Sequence, residues 1–383
     1  MITIKKAKLP LKIWAERKDL VGYDEAIAQA VDLANHPLAR QWIALMPDFH
    51  IGYGMPIGGV VGTVGGVIPN AVGVDIGCGV LAARTNLKTS RLSRPKLEEI
   101  RLKIHKLIPV GFKHHGRRQN HPYLDTPTDD PVIKTQLASA DKQIGTLGGG
   151  NHFIEVQADE TGQVWLMIHS GSRNFGKQVA DYYHKIALKY TEAKSNLPSR
   201  DLAYIPKSKP QYQMYLAAMN YCLHFAEASR QLMLDRIVSA FAACGLPIKI
   251  EEQFDIHHNF AALEKHHGQN LLVHRKGAVK AEGLLSIPGS MGSASYICQG
   301  FKPAESFNSC SHGAGRTIGR REAKRRFSHE EAVKSMAKVV YHVRHGQYDE
   351  LPMAYKDIDR VIKLQADLAK PLHKLIPLAV VKG

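Results

Sequence analysis

The sequence lacks any apolar run that approaches the ~20 residues a membrane-spanning helix needs. Residues Met1 to Lys8 include three lysines and no apolar signal region, so we expect a cytoplasmic protein without membrane contacts. Low-complexity blocks and collagen-like periods are also missing, which excludes a fibrous protein and gives no reason to expect disorder.

Cysteine is scarce, with five residues in a chain of 383, at positions 78, 222, 244, 298 and 310. Their odd number and scattered spacing argue against a disulfide framework and fit a reducing compartment. Cys222 and Cys244 lie in a helical pattern and are predicted to be core residues. Cys78 differs because it lies on a glycine-rich turn.

Acidic residues are few beside basic ones, 35 against 51, which gives a net charge of +16 and a pI near 9.5. Such a surface attracts polyanions, and nucleic acid is the obvious candidate. The excess collects at Lys113–Arg118, at Lys207 and Lys209, and along Arg316–Arg326. Each cluster alone could be a solvated helix face or loop. The cluster Arg316–Arg326 lies directly after a candidate reactive histidine, which favours a functional role for it over a solvated surface.

The pattern of elements predicts one irregular α+β domain over residues 1–383, with mixed sheets and surrounding helices. Glycine-punctuated, β-branched runs predict buried strands, with residues 164–169 as a central one. These strands do not alternate regularly with helices, and neither a repeat nor a linker is present. Residues 110–134, rich in His, Arg, Asp and Pro, predict an exposed loop. Helical spacing predicts helices over residues 23–35, 93–108, 176–193, 211–243, 328–343 and 355–369.

The octamer Ser309–Arg316 places His312 between small residues that let backbone amides approach whatever the imidazole touches. This pattern suits a histidine that attacks a phosphorus atom while amides and Arg316 hold the oxygens. A tight turn with an incidental histidine is the alternative, since short motifs often match by chance.

Five candidate metal ligands each stand where a strand-like run meets a turn, from which separate segments can aim side chains into one pocket. Five ligands exceed the need of one tetrahedral ion and fit two ions that share a thiolate bridge. Ligand softness alone favours zinc, and two metals beside phosphate suit phosphoryl or nucleotidyl transfer. The candidates are Asp75, Cys78, His152, His169 and His258.

Two further segments are ambiguous on their own. Pro288–Ser295 is a loop of small and hydroxyl-bearing residues that could cradle a nucleotide or form a plain turn. Lys382 follows an apolar run near the chain end and has no evident role, because chain ends usually fray.

Taken in order, these motifs resemble the RtcB family of RNA-splicing ligases over essentially the whole chain. The resemblance implies a single complex α+β domain. The motifs that carry it are Met46–Gly52, Gly73–Gly79, Gly145–Phe153, His169–Arg173, His257–Asn259, Arg275–Ala278, Pro288–Met291, Ser311–Arg316 and Val381–Gly383.

The activity that the resemblance implies is GTP-dependent joining of an RNA 3′-phosphate or 2′,3′-cyclic phosphate to a 5′-hydroxyl, supported by two Mn²⁺ ions. His312 would take GMP on its imidazole and pass it to the RNA 3′-phosphate, after which the 5′-hydroxyl displaces GMP. A cyclic phosphate would be opened first. A monomer is expected, and an activating partner of the archease type stays open.

The resemblance also implies a role for individual residues. Asp75, Cys78 and His152 would hold one metal, and Cys78, His169 and His258 the other. The guanylate pocket would be formed by Asn151, His152, Phe153, Ile154, Glu155, His258, Asn259, Pro288, Gly289, Ser290, Met291, Ser295, His312, Gly313, Ala314, Gly315 and Lys382. Tyr53, where the family commonly has lysine, and the individual segment 110–134 are expected to affect the choice of RNA, tRNA or rRNA, rather than guanylation.

The main rival is a dinuclear metal phosphoesterase or nuclease acting on RNA. Asp48–His50 and Gly150–His152 both echo ligand signatures of that class. The rival leaves His312 and Lys382 without a role, and Phe153 stands where it would need an acidic residue. A metal-stabilised RNA-binding protein without catalysis is a third reading that basic charge alone would permit.

Overall fold

The computed structural model describes residues 1–191, 197–343, 345–346 and 348–383. Within these residues the α-helices are α1 Asp24–Ala34, α2 Arg94–Leu107, α3 Pro131–Gln143, α4 Asn174–Thr191, α5 Pro210–Ala243, α6 Arg320–Arg326, α7 His329–Ser335 and α8 Ile358–Leu364. The strands are β1 Ile2–Ile4, β2 Leu11–Ile13, β3 Ala39–His50, β4 Ile57–Thr63, β5 Gly66–Val67, β6 Gly79–Lys88, β7 Phe153–Ala158, β8 Gln163–Ser170, β9 Ile205–Pro206, β10 Ile250–His257, β11 Asn259–His266, β12 Gln269–Lys276, β13 Ala278–Lys280, β14 Glu282–Ile287, β15 Ser295–Phe301, β16 Ser309–Ser311 and β17 Ala369–Lys382.

Two large sheets organise the molecule. One has six strands in the order β1-β2-β3-β4-β12-β11, and the other has seven in the order β10-β6-β8-β7-β17-β15-β14. The first sheet is mixed, because β2 and β3 are parallel while its other neighbours are antiparallel. Short ribbons pair β13 with β16 and β5 with β9. The predicted α+β class with mixed sheets is confirmed.

Helices cover one face of the seven-stranded sheet, and the side chains of its middle strands are buried on both faces. All eight residues of β8 are buried, as its nearly continuous apolar sequence predicts, and the predicted central strand is confirmed. The 34-residue helix α5 contacts β6 and β8 as well as α2 and α4. Its apolar side chains therefore contribute to two hydrophobic clusters.

The predicted helix over residues 328–343 is wrong in its second half. Helix α7 starts with a capping box between Ser328 and Glu331 and ends at Ser335. Beyond it the backbone N–H of Val340 donates to the carbonyl of Leu378, and the carbonyl of Val340 accepts from Val380. Pairing with β17 therefore replaces helical hydrogen bonds, and tertiary contacts override a helical apolar pattern.

The predicted helix over residues 355–369 is also shortened. Helix α8 spans only Ile358–Leu364, and β17 already begins at Ala369. That strand has 14 residues and lies between β7 and β15 inside the sheet. Lys382 is thus fixed by strand pairing and does not fray. Among the described residues, no helix combines the length and apolar character required to span a membrane.

Candidate functional site

One edge of the seven-stranded sheet gathers the predicted metal ligands. Because neighbouring strands are antiparallel there, the starts of β6 and β7 lie beside the ends of β8, β10 and β17. His169 is opposite both Val80 and Phe153, and Lys382 is opposite Phe153. Residues from five strands that are distant in sequence thereby reach one place.

The predicted ligands form two triads of donor atoms. Asp75, Cys78 and His152 make one, Cys78, His169 and His258 the other, and the donor atoms of each triad lie within 4.8 Å of one another. Cys78 Sγ is 3.5 Å from His152 Nε2 and 3.2 Å from His169 Nε2. The thiol is therefore the common member of two sets that suit two cations with one shared ligand.

Backbone contacts fix which nitrogen each histidine presents. His152 Nδ1 lies 3.0 Å from the carbonyl of Leu147, and His169 Nδ1 lies 3.2 Å from the carbonyl of Asn151. Each Nδ1–H donates to its carbonyl, so Nε2 is the atom that each ring turns toward the cluster. Burial lowers the pKa of His169 and of His258 well below the ordinary value. Both rings are therefore neutral near pH 7, as metal ligation requires.

Cys78 and Asp75 complete a donor set that fits a cation. Burial and the neighbouring Asp75 carboxylate raise the pKa of Cys78 well above its ordinary value. Without a metal ion the thiol stays protonated. A bound divalent ion would favour the deprotonated thiolate instead. Gly171 permits the crowding, because a Cβ at that position would lie 2.2 Å from Asp75 Oδ1. Sulfur, imidazole and carboxylate together fit a zinc-like or manganese-like ion.

His312 lies outside the seven-stranded sheet that carries the donor cluster. It follows directly after β16, which packs beside β3. Its Nδ1 lies 2.6 Å from Oδ2 of Asp48, and the same oxygen accepts from the backbone N–H groups of His312 and Gly313 at 3.1 and 3.3 Å. Gly315 has φ +75°, and a Cβ there would lie 2.2 Å from the carbonyl oxygen of Asp48. Glycine is therefore required for this close approach of the two segments.

Asp48 sets the tautomer of the histidine. Burial alone would raise the pKa of Asp48, but the charge and the hydrogen bond of His312 outweigh burial and lower it. An ionised carboxylate only accepts hydrogen bonds, so Nδ1 of His312 carries a proton, and in the neutral ring Nε2 is the nitrogen with the free lone pair. The imidazole is thus prepared as a nucleophile on the side opposite Asp48.

A cavity of about 310 Å³ joins the two halves of the site. Its volume lies at the small end of the range for ligand pockets. The sequence-predicted residues that line it are Asp75, Cys78, Asn151, Phe153, His169, His258, Asn259, Pro288, Gly289, Ser290, Met291, His312, Gly313, Ala314, Gly315, Arg316 and Lys382.

Four predicted residues do not line the cavity. His152 lies behind Cys78 and contacts its sulfur. Ile154 points to the opposite face of β7 and belongs to the hydrophobic core. Glu155 and Ser295 both contact Gln157, and Ser295 Oγ also accepts from the backbone N–H of Gly289 at 3.3 Å. These two residues therefore support the Pro288 loop from behind.

Glu155 leads to an expected pH effect on stability. Burial raises its pKa from 4.5 to about 8, so the folded state binds more protons than the unfolded state between these values. Stability is lost as the pH rises through this interval. We expect Glu155→Gln to match wild type near pH 4.5 and to exceed it at pH 8.5 by roughly 4–5 kcal/mol in unfolding free energy.

Urea unfolding of both proteins at several pH values measures this difference. Glu227→Gln, at an exposed position on α5, serves as the matched control and should show no such trend. A stability difference between Glu155→Gln and wild type that does not change with pH would contradict the buried neutral carboxyl.

Sequence reasoning gave no role to several residues of the site. Asp48 was part of a quoted motif and of a rival metal signature, but its contact with His312 and Gly313 was not foreseen. Lys276, within a quoted motif, lines the cavity and donates to the backbone carbonyls of Tyr53 and Asn70. Glu350 also lines the cavity, 3.7 Å from Lys382 Nζ. No local sequence pattern marks Glu350.

Comparison with known proteins adds an independent finding. A family model described as tRNA-splicing ligase RtcB matches residues 29–130 and 119–383. The RNA-splicing ligase RtcB of Escherichia coli K12 is 38% identical over 407 residues, which cover 98% of this chain and 97% of that protein. The tRNA-splicing ligase RtcB of Nanoarchaeum equitans is 33% identical over 463 residues, with 99% and 96% covered. The RNA-splicing ligase RtcB of Mycobacterium tuberculosis is 34% identical over 434 residues, with 93% and 100% covered.

Proposed function

The chain belongs to the RtcB family of RNA-splicing ligases, and from this premise we propose that it joins an RNA 3′-phosphate or 2′,3′-cyclic phosphate end to a 5′-hydroxyl end at the expense of GTP. Its family makes it an RNA ligase with an RNA substrate. The observation that carries the finer proposal is the 2.6 Å contact between His312 Nδ1 and Asp48. It supports a histidine nucleophile whose free nitrogen faces the cavity.

In the first step, His312 Nε2 attacks the α-phosphorus of GTP. A P–N bond forms, the bond from the α-phosphorus to the bridging oxygen breaks, and pyrophosphate leaves with that electron pair. The imidazole becomes cationic, and the buried Asp48 carboxylate stabilises it through the retained Nδ1–H bond. Small residues on both sides of His312 leave room for the phosphate oxygens.

In the next steps, an oxygen of the RNA 3′-phosphate attacks the guanylate phosphorus, and the P–N bond breaks in favour of a neutral imidazole. The RNA end then carries GMP through a diphosphate linkage. The 5′-hydroxyl of the second strand attacks the RNA phosphorus, loses its proton and expels GMP, which leaves a 3′,5′-phosphodiester. Water must first open a 2′,3′-cyclic phosphate end.

We assign the two donor triads to two Mn²⁺ ions, which when bound would neutralise phosphate charge and favour in-line displacement. The triads share Cys78, so the two ions would act as a pair. The cavity wall from Pro288 to Met291, the ring of Phe153 and the buried ammonium group of Lys382 would hold the guanylate. Lys382 Nζ lies 3.3 Å from the carbonyl of His152, which links the proposed nucleotide pocket to the donor cluster.

Asp48→Asn gives a graded test of the nucleophile. An amide oxygen can still accept from His312 and Gly313, but the charge that stabilises the cationic imidazole is lost. We expect the rate of His312 guanylation to fall by roughly 100-fold, in the range seen for the loss of one preorganised electrostatic contact. The measurement is the rate of label transfer from GTP to protein.

Asp130→Asn is the matched control for this substitution. Asp130 is another buried carboxylate, which caps α3 and contacts Tyr183 away from the cavity. It should change stability without changing the guanylation rate at a temperature where both variants are folded. Guanylation by Asp48→Asn at the wild-type rate would contradict the role of the carboxylate.

A further inference from the structure

Three hydrogen bonds at regular intervals fix the loop at residues 111–120 to the rest of the protein. The N–H of Gly111 donates to the carbonyl of Gly148 at 2.8 Å, and the N–H of His115 donates to that of Lys142 at 3.0 Å. The side-chain oxygen of Gln119 accepts from Arg236 at 2.6 Å. These three contacts, each four residues apart, give the loop a defined path over the surface.

Between these contacts the loop presents a bare aromatic ring among cations. Phe112 is 101% exposed, so its ring makes no packing contact that stabilises the fold. Lys113, Arg117 and Arg118 beside it are exposed as well. Keeping an apolar ring in water forgoes roughly 1.5–3 kcal/mol of burial energy. A fixed loop that exposes such a ring is suited to a ligand that covers it.

The loop adjoins the proposed reaction centre. Phe112 lines a cavity of about 330 Å³ together with Gly149, Gly150, Lys324 and Lys382. Met291, Glu350 and Lys382 line both this cavity and the one that contains His312. A strand that leaves the reaction centre on this side therefore passes the loop.

The charges of the loop favour an anionic ligand. Among the described residues, no carboxylate lies within salt-bridge distance of Lys113 or Arg117. Arg118 has only long contacts, 3.8 Å to Asp125 and 3.6 Å to Asp141. The acidic residues of the adjoining cavity are already paired, since Asp349 and Glu350 contact Arg320. The cations of the loop remain available to phosphates.

We propose that the segment 111–118 is a binding platform for single-stranded RNA, in which an unpaired base stacks on Phe112 and the flanking phosphates contact Lys113 and Arg117. This inference deepens the proposed function and rests on it for RNA as the substrate. An exposed ring beside cations is the combination that binds single strands without sequence preference, because every base has a π-face. A duplex offers no free base face to the ring.

The test measures binding of a labelled single-stranded RNA that ends in a 3′-phosphate to wild type, Phe112→Ala, Phe112→Leu and Phe112→Tyr. Loss of one stacked base weakens binding by about tenfold, the low part of the measured range. Alanine and leucine should both show this loss, because leucine keeps the apolar surface but not the ring. Tyrosine keeps the ring and should bind like wild type. Leu263→Ala, at a position that is 71% exposed on β11, is the control and should change nothing.

An abasic nucleotide moved along the same RNA locates the contact. At one position the missing base should weaken wild type but leave Phe112→Ala unchanged, since the two losses remove the same interaction. If the affinities of wild type and Phe112→Ala differ by the same factor wherever the abasic nucleotide is placed, no base stacks on the ring and the proposal is overturned.

Charge reversal supplies an independent readout. The slope of log affinity against log salt is negative. Lys113→Glu/Arg117→Glu should reduce its magnitude by about 0.7 for each lost phosphate contact. Lys185→Glu/Lys189→Glu, with the same charge change on the exposed face of α4, should leave the slope near its wild-type value. Equal slopes in the two double variants would overturn the platform.

Label transfer from GTP to protein separates this inference from the proposed function. Phe112→Ala should be guanylated at the wild-type rate, because the ring does not touch His312 or the donor triads. Wild type without label would contradict the proposed guanylation and leave the RNA-binding comparison intact. Normal label with unchanged RNA binding in Phe112→Ala would overturn the platform alone.

Discussion

Cys78→Ala is expected to bind neither of the two proposed Mn²⁺ ions and to reduce ligation below detection. Its sulfur is the one donor common to the two triads, so its removal leaves each ion with two ligands from those sets. Imidazole and carboxylate alone, in a cavity built around a sulfur atom, would hold Mn²⁺ far more weakly. Elemental analysis after dialysis against Mn²⁺ measures the metal content per chain.

Two matched variants make this result specific. His258→Ala removes a donor from one triad only, so it should lose one ion and keep the other. Cys298→Ala removes a buried thiol from the hydrophobic core around β15 and should keep both ions. Wild-type metal content in folded Cys78→Ala would refute the shared thiolate.

His312→Ala is expected to abolish guanylation and the ligation of 3′-phosphate ends, because it removes the imidazole whose Nδ1 is held by Asp48 and whose Nε2 would form the P–N bond. We expect a loss of at least about 10⁴-fold, as for the removal of a catalytic nucleophile. The substitution also removes the imidazole partner of a buried carboxylate, at a cost of about 1–3 kcal/mol in stability. Thermal unfolding of the variant therefore accompanies the assay.

The final chemical step offers a second readout for the same variant. An RNA that already carries GMP on its 3′-phosphate needs no P–N bond, so His312→Ala should still join it to a 5′-hydroxyl. His312→Gln should behave in the same way while keeping a polar side chain beside Asp48. Failure of both folded variants on the activated RNA would give His312 a further role in the last step.

The clustering of the candidate metal ligands could be predicted from sequence because each of these residues is local to a recognisable feature. Cys78 lies on a glycine-rich turn, and His169 ends an apolar run. Such positions fall at the ends of strands, and antiparallel pairing then brings the strand ends together. The order of strands in the sheet was not needed for that prediction.

The features that no local pattern showed depend on contacts remote in sequence. Asp48 and His312 are 264 positions apart, and only the packing of β16 beside β3 brings them together. Lys382 gained a fixed position because β17 pairs with β7 on one side and β15 on the other. Val340 has a helical sequence pattern around it but pairs with the same strand, β17. In each case the deciding partner was a distant backbone segment that no local pattern identifies.

The measurement that decides the mechanism is incubation of wild type, His312→Ala and Asp130→Asn with Mn²⁺ and GTP labelled at the α-phosphate, followed by denaturing electrophoresis and peptide mapping. We expect an acid-labile label on the peptide that contains His312, present in wild type and Asp130→Asn and missing in His312→Ala. A label of equal strength in His312→Ala, or no label on folded, metal-loaded wild type, would contradict a histidine–GMP mechanism.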